Sequence, residues 1–236
     1  MLKPEGRVVM ISGANRGIGR AIAERLLEEG YSLSLGARDP AMLDTVFADA
    51  APDRVHRQAY DALEAGSDVA WVEATLARFG RIDALVNNAG IATPARIEDG
   101  DEAFDRLWAV NVKAPLRLIR SALPQLRACG CGRVINLASL SGKRVANDNA
   151  GYAMSKFAVV ALSHATRRAG WDDGVRVTAL CPSFVATDMT ASVESVGREE
   201  MIQPEDLAAL VATLLALPNT ASVAELLVNC RLEAML

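Results

Sequence analysis

Short apolar runs alternate with stretches of helical spacing along almost the whole chain. Residues 8–12 form an apolar run that ends in glycines, and residues 21–29 follow with Ile22, Leu26 and Leu27 on one helical face. The same alternation predicts strands at 32–35, 54–59, 84–87, 133–137, 175–181 and 223–228. Helices are predicted at 41–47, 64–79, 104–126, 151–169 and 205–217, the first capped by Asp39 with Pro40 at its opening position. The helix at 104–126 carries Pro115 inside it. Strands separated by helices pair in parallel, in a sheet covered on both faces. Right-handed crossovers then give an α/β, doubly wound sheet. No linker, composition shift or fixed-period repeat divides the chain, so residues 1–236 are read as a single domain.

Composition narrows the function classes. The 236 residues are 51% hydrophobic with a net charge of −4, which excludes disorder as the main state. With 25 basic against 29 acidic residues, there is no overall attraction to nucleic acid. No apolar run reaches the roughly 20 residues of a spanning helix, and the start lacks a leader pattern. A cytoplasmic protein without a membrane partner is expected. Cys181 and Cys230 read as small buried hydrophobes, and Cys129-Gly130-Cys131 as a turn. With only His56 and His164 to join them, no metal site is expected.

The first apolar run leads into Ser12-Gly13-Ala14-Asn15-Arg16-Gly17-Ile18-Gly19, which opens a helix. Gly13 suits a sharp turn, Gly17 a close approach of pyrophosphate, and Gly19 close packing of helix on sheet. Free N–H groups at the helix start complete a dinucleotide site; a plain tight turn is the alternative. Arg38 stands at the end of the second strand, where an acidic residue would select NAD. A guanidinium there forks onto a 2′-phosphate, and Arg16 can join it. Asp39 is the rival ribose ligand, but Pro40 makes it a better helix cap. NADP(H) is therefore favoured, with NAD(H) possible.

Tyr152 and Lys156 fall one helical turn apart, so the cation is expected to pull the phenol toward phenolate. Such a phenol exchanges a proton with an alcohol or carbonyl oxygen. Ser139 is placed at the end of the preceding strand, near the edge where such sheets bind ligands.

In order along the chain stand the Gly13 to Gly19 loop, Asp61, Asn87-Asn88-Ala89-Gly90, Asn111, Ser139, Tyr152 with Lys156, and Pro182 to Thr187. This ordered set resembles the short-chain dehydrogenase/reductase family over nearly the whole chain. The resemblance implies a Rossmann-type fold and a role for each match. Tyr152 would be the general acid/base, Ser139 would polarise the substrate oxygen, and Lys156 would bind the nicotinamide ribose. Asn111 would sit at a helix irregularity and hold a proton-relaying water. Asp61 would contact the adenine amine, and Asn88, Ala89 and Gly90 would line the adenine ribose. Pro182 and the stretch through Val185 to Thr187 would cover the nicotinamide. A homotetramer, or a dimer, is implied, and the helices after Phe104 and Tyr152 leave little purely polar surface.

Ser12 replaces the family's usual Thr, and the frequent Asp-Gly-Gly is absent near the end, where a short charged tail runs from Arg231 to Leu236. Ser183 replaces the usual Gly after Pro182, and must meet backbone demands that Gly meets more easily. Residues 186–202, small, polar and apolar by turns, suit a mobile lid over a small or medium substrate. Residues 142–150 border the pocket, where Lys143 and Arg144 would attract an acidic substrate and Asn147, Asp148 and Asn149 would bind hydroxyls; solvated surface is the alternative. The leading expectation is an NADP(H)-dependent oxidoreductase of a small carbonyl/alcohol pair. The alternatives are a 3-oxoacyl carrier-protein reductase, with Lys143, Arg144 and Arg198 at its mouth, and a cofactor-binding regulatory or scaffold protein without turnover.

Overall fold

The computed structural model describes residues 1–232. Seven strands form one parallel sheet: β1 (Val8–Ser12), β2 (Ser32–Ala37), β3 (Val55–Ala59), β4 (Ala84–Asn87), β5 (Arg133–Leu137), β6 (Arg176–Pro182) and β7 (Glu225–Val228). Their spatial order is β3-β2-β1-β4-β5-β6-β7, so the direction of winding reverses between β1 and β4. The helices are α1 (Gly17–Glu29), α2 (Pro40–Val46), α3 (Ser67–Phe79), α4 (Asp101–Trp108), α5 (Ala114–Ala128), α6 (Ala150–Gly170) and α7 (Pro204–Ala216). They cover both faces of the sheet. One apolar layer packs α1 and α7 on it through Ile22, Leu26, Val211 and Leu215. The other packs α3 and α5 through Trp71, Val72, Leu118 and Leu126. The expected α/β doubly wound arrangement is the one observed.

One predicted element differs in kind. The long helix at 104–126 is two α-helices joined by a π-helical turn, Ala109–Lys113. Pro115 explains the break. It has no N–H to give the carbonyl of Asn111, four residues back, and its ring crowds that carbonyl. The widened turn absorbs the mismatch, and Pro115 falls in the first turn of α5, where an N–H is not needed. The other boundaries move by a few residues. The largest shift is at α1, which starts at Gly17 inside the glycine loop rather than at 21. Asp39 caps α2 as expected, its Oδ1 accepting from the Ala41 N–H at 3.0 Å.

Polar groups also brace the core. Asn87 Nδ2 donates to Asn136 Oδ1 at 2.8 Å, and Asn136 Nδ2 donates to Ser163 Oγ at 2.8 Å. This chain ties β4 to β5 and β5 to α6, and it is buried throughout. At the amino ends of the strands, Arg7 donates to the carbonyl of Leu215, and Arg133 to those of Gly132 and Leu217. Two cations thus meet the last carbonyls of α7, where the helix dipole favours them. Burial pulls the Arg133 guanidinium down to about 10.

Replacing Asn136 by Ala removes both links of the buried chain and strands Asn87 and Ser163 in an apolar setting. Urea denaturation is expected to show a loss of about 2–4 kcal/mol with the circular dichroism spectrum unchanged. A loss below about 0.5 kcal/mol would mean that the chain contributes no net stability.

Candidate active site

Where the winding reverses, the loops after β1 and β4 diverge and leave a cleft at the carboxyl ends of the strands. The cleft has a volume of about 940 Å³, near the upper end of the range for ligand sites. Its wall includes the glycine loop, Arg38, Asp61, Asn88 to Gly90, Ser139, Tyr152, Lys156, Pro182, Val185 and Thr187. Nearly every residue singled out in the sequence therefore faces one continuous space.

The glycine loop builds one end. Gly13 (φ +69°) and Gly17 (φ +54°) adopt left-handed backbone. A Cβ on Gly19 would overlap the carbonyl oxygen of Gly13 and Nδ2 of Asn88, so only Gly lets α1 start this close to the sheet. No side chain caps α1. Its first-turn N–H groups and the positive end of its dipole are therefore left for an anion in the cleft. Ser12 does the work of a Thr: its Oγ accepts from the N–H groups of Asn88 and Ala89, both at 3.0 Å. Asn88 in turn donates to the carbonyls of Ser12 and Gly13. Its amide is committed to joining β1 and β4, and what it offers the cleft is its edge.

Arg38 is exposed at the end of β2. Arg16 is also exposed, and it pairs with Asp188 across the cleft mouth at 3.1 Å. Asp61 follows β3, with its Oδ1 accepting from the Leu63 N–H at 2.8 Å.

The other end is built by α6 and the turn after β5. The strand stops at Leu137, two residues short of Ser139. Ser139 instead caps a 3₁₀ turn, Leu140–Gly142, its Oγ accepting from the Ser141 N–H. That turn lies directly on α6: a Cβ on Gly142 would come within 2.6 Å of the Lys156 carbonyl oxygen. The close approach holds Ser139 beside Tyr152. Asn149 caps α6, accepting from the Tyr152 N–H at 3.3 Å and the Ala95 N–H at 3.1 Å.

Lys156 is buried, and its Nζ donates to the Leu137 carbonyl at 2.7 Å. It also lies 5.6 Å from the centre of the Tyr152 ring. Burial pulls its ammonium down to about 8. The electrostatics at Tyr152 depart from expectation. Burial pushes the phenol up, and the Ser139 hydroxyl draws it part of the way back.

Asn111 occupies the π turn, the irregularity expected for it. Both hydrogens of its side-chain amide are placed. Oδ1 accepts from the Ile91 N–H, and Nδ2 donates to the Ile91 carbonyl and to Ser155 Oγ. Ser155, which no sequence argument had singled out, relays this contact to the Tyr152 carbonyl at 2.7 Å.

Four further expectations resolve. Ser183 needs no left-handed backbone, because none of the described non-glycine residues has positive φ. Its Oγ accepts from the Cys230 N–H at 2.9 Å instead. Lys143 turns away from the cleft and pairs with Glu225 at 2.6 Å, and His164 meets the other oxygen of the same carboxylate. The segment 186–202 crosses the cleft with its base fixed: Val185 pairs with Ile202, and Arg198 donates to the carbonyls of Ala186 and Thr187. Cys181 is buried as expected, while Cys230 is only half-buried, just past β7. The charged tail lies outside the described residues from 233 onward.

Comparison with known proteins agrees with this geometry. The model of the short chain dehydrogenase family matches residues 7–196. Agropine synthesis reductase of Rhizobium rhizogenes is 44% identical over 230 residues, 97% of this chain and 53% of that protein. The chain thus spans about half the length of that relative. An alcohol dehydrogenase of the archaeon Thermococcus sibiricus, solved with 5-hydroxy-NADP, superposes with a TM-score of 0.86 at 31% identity, covering 94% of this chain and 95% of that one. A 3-ketoacyl-(acyl-carrier-protein) reductase of Brucella melitensis, solved with NADH, gives 0.87 at 28% identity over 95% and 96%. The glycine loop, the Ser139 turn and the Tyr152–Lys156 helix thus lie in a chain that belongs to the short-chain dehydrogenase/reductase family of oxidoreductases.

Proposed function

We propose that the protein is an NADP(H)-preferring oxidoreductase that interconverts a small or medium carbonyl compound and its alcohol. One observation carries this reading: Ser139, Tyr152 and Lys156 converge at one end of a cleft whose other end is an uncapped helix start flanked by Arg16 and Arg38. The anion end fits a dinucleotide, because its glycines leave no Cβ in the way and its N–H groups lack a protein partner. Arg38 and Arg16 would hold a 2′-phosphate, Asp61 the adenine amine, and Lys156 the nicotinamide ribose. Pro182, Val185 and Thr187 would cover the ring. When bound, the nicotinamide supplies or takes the hydride.

The protein's own contribution is position and proton transfer. Ser139 holds the substrate oxygen by a hydrogen bond. Tyr152 gives that oxygen a proton during reduction and removes one during oxidation. Asn111 braces the loop at Ile91 and, through Ser155, the helix that carries Tyr152. The water relay expected of Asn111 falls to its main-chain carbonyl, since its side chain is committed and Pro115 offers that carbonyl no N–H. A homotetramer is supported by Trp108, Met154 and Phe157, large apolar side chains left exposed on α4 and α6. The 3-oxoacyl-thioester reading uses the same machinery, and the Brucella melitensis relative keeps it as the second choice.

Tyr152→Phe is expected to lower kcat by at least about a thousandfold while the Kd for NADPH, read by its fluorescence, changes little. Turnover at the parent rate would remove Tyr152 from the mechanism. NADPH is expected to bind more tightly than NADH. Arg38→Ala should weaken NADPH binding by about tenfold, with a much smaller effect on NADH, because only one of the two carries the phosphate. Equal losses for both would assign Arg38 to another part of the cofactor. Burial keeps Tyr152 protonated at neutral pH, so it starts as an acid. Carbonyl reduction, which needs the protonated phenol, should stay level through neutral pH and fall only above about 10, and alcohol oxidation, which needs the phenolate, should still be rising there. Parallel profiles in the two directions would contradict that assignment.

A further inference from the structure

β6 and β7 pair in parallel, with Pro182 opposite Val228. The pairing continues one step past the strands, where the Ser183 N–H donates to the Val228 carbonyl at 2.8 Å. In a parallel ladder the next rung would run from the Cys230 N–H to the Ser183 carbonyl. That N–H goes instead to Ser183 Oγ, at 2.9 Å. The hydroxyl thus adds a rung at the point where the main chain leaves the sheet to form the 182–187 loop. Glycine, the residue expected at this position, has no atom for the task. The rung fixes a short segment. Cys230 is half-buried, and it packs against both apolar groups at the base of the lid: Val185 with Ile202, and Ala186 with Val196 and Met201. Arg231, the next residue, sits over the Phe184 ring, 5.7 Å from its centre. Ser183, Phe184 and Arg231 all line the cleft. Residues 229–231 therefore run from the end of the sheet to the cleft wall, across the base of the lid.

We propose that Ser183 is a positioning residue for the cofactor: its hydroxyl hooks residues 229–231 onto the 182–187 loop, and this strap holds the loop down on the nicotinamide of a bound dinucleotide. This rests on the dinucleotide reading of the cleft. The strap touches the loop at two adjoining residues, Phe184 through Arg231 and Val185 through Cys230. A loop already held in place costs a ligand less ordering when it binds. The adenine end of the cleft, at the glycine loop and Arg38, has no contact with the strap among the described residues. Its effect is therefore confined to ligands that carry the nicotinamide half.

The experiment uses Ser183→Ala, which removes only the hydroxyl. Ser183 lies outside the left-handed region, so Ala fits its backbone. Hydrogen exchange at the Cys230 amide is followed by NMR without ligand. Calorimetry then compares NADPH with adenosine 2′,5′-bisphosphate, which keeps the phosphate of the adenine end and lacks the nicotinamide. In the variant the Cys230 amide is expected to exchange about fivefold faster or more, the effect of one lost hydrogen bond. NADPH should bind about fivefold more weakly, with the bisphosphate within about twofold of the parent. Ser183→Thr, which keeps the hydroxyl, should restore the parent values. Parent values in Ser183→Ala overturn the proposal. Equal weakening of both nucleotides overturns it too, since the hydroxyl would then act on the whole fold. Faster Cys230 exchange with NADPH binding unchanged leaves the hook but overturns the positioning role. A parent that binds neither nucleotide, with Cys230 exchange still faster in the variant, removes the dinucleotide reading, and the role of the strap with it, while the hook stands.

Discussion

The reversal of winding between β1 and β4 is the constraint on which the site depends. A parallel sheet that runs outward both ways from its centre must part its loops there, and the parting is the cleft. The two strands need a link that does not fill the gap. Ser12 and Asn88 provide it with four hydrogen bonds across the top of the strands. These four bonds run from one strand end to the other and do not span the space above. Gly19 then brings a helix start to the edge of that space without a side chain in between.

The second half of the site depends on a different economy. Two groups that chemistry would wish to be charged, Lys156 and Tyr152, are packed where charge is costly. The burial that pulls the ammonium down also pushes the phenol up. Tyr152 is held through its backbone and neighbours: Asn149 at its N–H, Ser155 at its carbonyl, and the Ser139 turn beside its ring.

The sequence pattern made the strands and the glycine loop readable because each rests on local rules: period, cap and turn residue. The residues of the catalytic end were readable as types at fixed spacings. What these residues touch was not. Nothing near Lys156 in the chain announces that its ammonium will meet the Leu137 carbonyl, 19 residues earlier. Lys143 looked like a cleft cation, and only the arrival of Glu225 from the last strand shows where it points. The break at Ala109–Lys113 had a visible cause in Pro115, but a proline after an apolar helical run signals a disturbance without saying which kind of turn will absorb it. Ser183 was harder still, since the demand placed on it came from an expected glycine rather than from its own surroundings.

Glu225 has a consequence in the order of synthesis. Its carboxylate holds Lys143 beside the Ser139 turn and His164 on α6, and it stands at the start of β7, the last strand of the sheet. Everything it fastens is made first. A nascent chain can therefore assemble six strands and lay α6 against them while this clasp on the turn is still missing. The turn that carries Ser139 is thus clasped only after the strands before it are made, and the clasp comes from the edge of the sheet rather than from its centre.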